Sequence, residues 1–107
     1  VVTHLGESIH RVLIQDDASD NETRVMLDHL PYSCVEVFHA EKNQGFGMAV
    51  NTAVSRSDAF YVFVLNSDTE VKSNILPLLC SAFDTDPELA TIVPAGNSYD
   101  NFDLGRY

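Results

Sequence analysis

Three short polar stretches carry the side chains that could do chemistry: Asp16-Asp17, Asn43-Gln44-Gly45-Phe46-Gly47 and Asn66-Ser67-Asp68. Each follows an apolar run and offers carboxylate or amide oxygens. One or two carboxylates, with the remaining positions left to water and phosphate, suit Mg²⁺ or Mn²⁺. Carboxylates gathered on one rim repel one another, and a bound cation removes that cost. The plainer alternative is a set of turns, because Asn, Ser and Asp close loops and cap helices by bonding nearby backbone. For Asn66-Ser67-Asp68 taken alone, the two readings weigh the same.

A parallel sheet is what would bring the three turns to one rim, since ligands of such sheets sit outside the carboxyl ends of the strands. The run Phe60-Tyr61-Val62-Phe63-Val64-Leu65 has no charge and is rich in β-branched and aromatic residues, which predicts a buried strand over 59–65. Arg11-Val12-Leu13-Ile14-Gln15 predicts another. Residues 34–39 alternate apolar and polar, a strand with one face partly exposed, and Thr91-Ile92-Val93 before Pro94 gives a short fourth strand. Ser19 with Glu22 three residues later fits a capping box, opening a helix over 22–30 with Val25, Met26 and Leu30 towards the sheet. A second helix over 46–55 presents the small face Ala49, Val50, Ala53 and Val54. Asn51 lies within that helix, where an amide is unfavourable unless it reaches solvent or holds something. A third helix over 73–83 tolerates Pro77 only in its first turn.

The alternation predicts an α/β three-layer sandwich with a mainly parallel sheet, one domain over residues 1–107. Val1-Val2-Thr3-His4 reads as the end of a strand, yet only residues 5–10 separate it from the next one. A parallel crossover needs a dozen or more. The segment is therefore the tail of a helix, or residues are missing from part of a longer protein; the second is the expectation.

The formal net charge of −10, from sixteen acidic against six basic residues, leaves no basic stripe and argues against nucleic-acid binding. An anionic ligand would need a divalent cation to enter such a field. Cys34 and Cys80 sit among apolar neighbours without ligand spacing and read as buried thiols of a reducing compartment. His4, His10, His29 and His39 form no cluster, and each reads as a surface or strand-edge residue. No apolar run approaches the length of a membrane span, and no G-x-x-x-x-G-K-[ST] loop is present.

Taken in series, the motifs resemble the family 2 glycosyltransferases. Val12-Leu13-Ile14-Gln15-Asp16-Asp17-Ala18-Ser19-Asp20-Asn21-Glu22-Thr23 is similar to that family's V-D-D-x-S-x-D-x-T turn. Asn43-Gln44-Gly45 with Ala49 and Asn51 resembles its N-x-G-x-x-x-A-x-N segment, and Asn66-Ser67-Asp68 its D-x-D motif with Asn in first place. Val93-Pro94-Ala95-Gly96-Asn97 resembles the P-x-x-N stretch of members that build surface polysaccharides. The likeness covers about residues 11 to 98 in the family's order. It implies the nucleotide-sugar-binding half of a GT-A, Rossmann-like fold, incomplete here, that passes a sugar from a nucleotide-diphosphate sugar to a glycan or lipid-linked hydroxyl acceptor with inversion. By the same resemblance Asp17, with Asp16 beside it, contacts the base or ribose. Asn66 lines the ribose or sugar side, Asn43, Gly45 and Asn51 brace the donor pocket, and Asp68 binds the divalent metal.

The family's general base lies beyond its D-x-D motif, and nothing after Asp68 is similar to that segment; Asp100 and Asp103 are the late acids of an irregular tail. No catalytic base is therefore assigned. The expected location is cytoplasmic, with peripheral contact at the inner face of a membrane left to flanking segments. Two other classes compete. A receiver-type signalling domain needs a lysine after its last strand, and the two lysines, Lys42 and Lys72, are elsewhere. A non-catalytic α/β interaction module with a solvated acidic rim would bind no nucleotide at all.

Overall fold

The computed structural model describes residues 1–94. Two compact units part after Leu76. In the first, β1 (Val12–Asp16) and β2 (Val35–His39) pair in parallel, in a register running from Val12 opposite Val35 to Asp16 opposite His39. Bonds from Val12 N–H to the Cys34 carbonyl and from Ala40 N–H to the Asp16 carbonyl extend the ladder at both ends. Equal strand lengths leave the two carboxyl ends level, so the polar turns after them begin side by side.

Three helices belong to this unit. α1 (Val2–Leu5) is a single turn whose Leu5 is 1% exposed, and among the described residues Val71 is the other buried apolar side chain. The expected strand end at the amino terminus is thus helical, the alternative for which a short link to β1 raises no crossover problem. α2 (Asn21–Asp28) connects β1 to β2 and packs on β2, and α3 (Phe46–Ser55) follows β2 and packs on β1. α/β architecture with a parallel sheet is therefore what the chain adopts, in a partial form.

Local details correct the sequence expectations. Asp20, not Ser19, caps α2, its carboxylate accepting the Thr23 N–H at 2.8 Å. Ser19 is diverted because its own N–H bonds the Asp16 carboxylate at 3.0 Å. Val25 and Met26 are exposed, and the half-buried positions are Thr23, Arg24, Leu27 and Leu30, spaced i, i+1, i+4 and i+7 along one side. In α3, Ala49, Val50 and Ala53 are half-buried as expected, whereas Val54 is exposed.

Residues 59–65 and 91–93 form no strand. Phe60 is 92% exposed and Tyr61, Val62 and Val64 are exposed too, on both alternating faces. A strand is held by its ladder and by at least one covered face. Among the described residues the sheet has only the two strands β1 and β2, so the apolar run has no ladder, and of its side chains only Phe63 and Leu65 are half-buried. α4 (Leu76–Thr85), which lies in the second unit from Pro77 onward, begins three residues later than expected, and Pro77 falls in its first turn. Both cysteines are free thiols, half-buried rather than buried.

Candidate functional site

The carboxyl edge of β1 and β2 is where the polar side chains converge. Asp17 stands just beyond β1, and its two oxygens accept the backbone N–H groups of Gln44 at 2.8 Å and Gly45 at 2.7 Å. The Asn43 amide oxygen shares the Gly45 N–H at 3.1 Å. Gly45 caps α3 with φ 86° and ψ 162°, a conformation in which a Cβ is strained. Two of the three turns expected on one rim are therefore joined by hydrogen bonds, and glycine is what lets the second approach the first. Ala18, with φ 66°, tightens the acidic turn on the other side.

Asp16 is turned inward. Its residue is 5% exposed; one oxygen accepts the Ser19 N–H and the other lies 2.7 Å from His39 Nδ1. His39 Nε2 lies 2.8 Å from an Asp28 oxygen at the end of α2. Burial pushes the Asp16 carboxyl up, but the Ser19 and His39 hydrogen bonds outweigh it and hold it below its ordinary value. The Asp16 and Asp28 hydrogen bonds raise His39 above the usual imidazole range. Reading the four histidines as isolated edge residues missed this bridge. The signal that finds it is the register, which sets His39 directly opposite Asp16.

Beside these groups lies a shallow polar cleft of about 120 Å³, lined among others by Gln15, Asp17, His39, Gln44, Thr52 and Arg56. Arg56 is held there by an Nη1 bond to the Gln15 amide oxygen at 2.9 Å and by stacking 4.2 Å over the Phe38 ring. It brings a cation to the rim of an acidic chain, where a phosphate or carboxylate would find it.

The other expected residues sit apart from that cleft. Asn51 is exposed on α3, so its amide reaches solvent. Residues 66–68 form a turn closed by the Thr69 N–H on the Asn66 carbonyl, and all three are exposed. Neither Asn66 nor Asp68 lines the cleft. Among the described residues no three His, Cys, Asp or Glu side chains converge into a metal cage. One exposed carboxylate is nonetheless how a Mg²⁺ that keeps its waters and takes substrate phosphates is usually held, so Asp68 fits that manner of binding. Asp100 and Asp103 lie outside the described residues.

Comparison with known sequences adds the decisive observation. The model of the family described as "Glycosyl transferase family 2" matches residues 2–107. This chain belongs to that family. The chain is also similar to a chondroitin synthase of Escherichia coli, 32% identical over 90 residues that make up 83% of this chain. Those residues are 13% of the synthase, so the chain spans about an eighth of that relative's length. No solved structure matches. The acidic turn and the glycine turn, the two stretches that resemble the family's motifs, are bonded to each other in the structure. No helix among the described residues is long and apolar enough to cross a membrane.

Proposed function

We propose that this chain is the donor-binding half of a sugar transferase that moves a glycosyl group from a nucleotide-diphosphate sugar to a glycan hydroxyl. The observation that carries the reading is the pair of hydrogen bonds that the Gln44 and Gly45 backbone N–H groups donate to Asp17, which joins the acidic turn and the glycine turn at the carboxyl ends of the parallel strands. Each Asp17 oxygen keeps a lone pair for the base or ribose. Asp16, with both oxygens engaged below the surface, supports the turn and does not itself reach the ligand. In this reading Asn43, Gly45 and Asn51 would brace the donor pocket, and Asn66 would line the ribose or sugar side.

Asp68 would hold the divalent metal, Mg²⁺ or Mn²⁺. When bound, that ion supplies charge neutralisation for the departing nucleoside diphosphate. The chain's own part is binding and orientation: it holds the donor with the anomeric carbon open to the acceptor on the opposite face, the arrangement that inverts the centre. The base that activates the acceptor is assigned to no described residue. Similarity to a protein named as a chondroitin synthase favours a growing polysaccharide as acceptor. The cytoplasmic side of a membrane is where we place the reaction.

Calorimetry with UDP, GDP and dTDP, each with and without Mn²⁺, tests the reading. The expected result is metal-dependent binding of at least one nucleotide. A folded chain that binds none of them removes the proposal.

A further inference from the structure

Both ring nitrogens of His39 lie within hydrogen-bond distance of carboxylates, Nδ1 of Asp16 at 2.7 Å and Nε2 of Asp28 at 2.8 Å. An ionised carboxylate only accepts, and a neutral imidazole donates from one nitrogen alone. The observed pair of bonds therefore requires an imidazolium. That cation joins three elements, the end of β1, the end of β2 and the last residue of α2. Asp17, next to Asp16 in the chain, carries the hydrogen bonds to Gln44 and Gly45, and His39 lines the same cleft as Asp17 and Gln44.

We infer that His39 is a positioning residue for the donor site: as an imidazolium bridging Asp16 and Asp28, it locks the acidic turn and thereby the loop of residues 43–45 that Asp17 holds. The site is then built for a protonated histidine, and donor binding weakens as that proton leaves. The charged groups around the ring are Asp16 on β1, Asp28 and Arg24 on α2, and Asp17 and Arg56 at the cleft. The two nearest are the anions bonded to it, whereas Arg24 opposes the charge. Loss of the proton breaks one of the two bonds. Because Asp16 is buried and Asp28 exposed, the bond to α2 is the one released, and the Asp16–His39 pair that supports the acidic turn then loses its anchor on α2. This inference rests on the donor-site reading only for its ligand-binding consequence.

Asp28→Asn separates charge from structure. The amide introduced by D28N can donate to Nε2 of a neutral ring while Nδ1–H still serves Asp16, so both links survive deprotonation. The experiment follows the His39 ring nitrogens and the Gln44 and Gly45 amides by ¹⁵N NMR from pH 5.5 to 9, and UDP affinity with Mg²⁺ over the same range, in wild type and D28N. In wild type we expect a doubly protonated ring at pH 6. The Gln44 and Gly45 signals should then shift with the His39 midpoint, and UDP affinity should fall about tenfold, the worth of one hydrogen bond to a charged group. In D28N the amide signals and the affinity should stay flat across that midpoint. A neutral His39 at pH 6, or the same amide titration in both proteins, overturns the inference. If UDP binds neither protein at any pH, the donor-site reading is what fails for this nucleotide, and the ring and amide signals still decide the role of His39.

Discussion

Gly45 and Gly47 stand two residues apart at the start of α3, and the structure gives them opposite expected responses to one added methyl group. A Cβ built on either glycine meets no atom within 4 Å, so packing cannot distinguish them. Backbone conformation can. Gly45 has φ 86° and ψ 162°, a region that is essentially glycine's alone, and forcing alanine into it costs about 1–3 kcal/mol. Gly47 lies inside the helix, where alanine restricts the unfolded chain and favours the folded one by about 0.5 kcal/mol. Gly45→Ala is therefore expected to destabilise and Gly47→Ala to stabilise slightly, a gap of roughly 1.5–3.5 kcal/mol.

Urea unfolding followed by circular dichroism measures the gap. With a slope of about 1–3 kcal/mol per molar, it corresponds to a midpoint difference on the order of 1 M. The consequence extends to the site, because relaxing the strain at residue 45 must rotate its N–H away from Asp17 and Asn43. G45A is expected to weaken metal-dependent nucleotide binding, and G47A to leave it unchanged. Two variants that shift the midpoint in the same direction, or a G45A protein within about 0.5 kcal/mol of wild type, would refute the conformational argument, since ordinary surface substitutions fall in that range.

Three further outcomes follow from the same geometry. Asp17→Asn replaces one acceptor by a donor facing the Gln44 or Gly45 N–H; a hydrogen bond to a charged group is worth about 1.5–3 kcal/mol, and partial exposure lets water recover part of it, so about 1–2 kcal/mol should be lost in urea unfolding. Asp68→Ala touches no packed group and should leave the unfolding midpoint in place while abolishing the metal-dependent part of nucleotide binding in calorimetry; unchanged binding would put the metal elsewhere. Stability should also depend on pH in a set direction. His39 is raised above 6.5, so its contribution is complete below that value and disappears as pH climbs through the raised one; Asp16 is lowered below 3.8, so its contribution is complete above 3.8 and disappears as pH falls through the lowered one. A urea midpoint that is highest between these values and declines on both sides agrees, and one that rises from pH 6.5 to 9 does not.

How much of this was legible from residues alone depended on the range of the interaction. Helix α3 came out with its bounds intact because Gly45 and the small residues after it are a local signal, and the parallel strands were visible within one residue at each end. The capping of α2 shifted by one position because Ser19 is claimed by Asp16, a competition between two local bonds that the capping pattern cannot arbitrate. The apolar run over 59–65 misled for a different reason. Its composition specifies a residue type suited to a sheet interior, but a strand exists only where a partner edge lies alongside, and composition carries no information about that.

The pair Asp16-Asp17 shows where sequence reasoning stops and register begins. As letters the two acids form a single motif, and a single role at the ligand was expected of them. At the end of a strand, however, consecutive side chains leave on opposite sides. Asp16 therefore turns into the protein and meets His39, whose place opposite is fixed by five residues of parallel pairing. Asp17 turns towards the loop that enters α3 and binds its backbone. Slipping β2 by one residue would put Phe38 or Ala40 opposite Asp16 and leave a buried carboxylate without its cation, so the ion bridge also selects the register that builds the site. One acid holds the sheet edge, and the other holds the loop where the donor is proposed to sit.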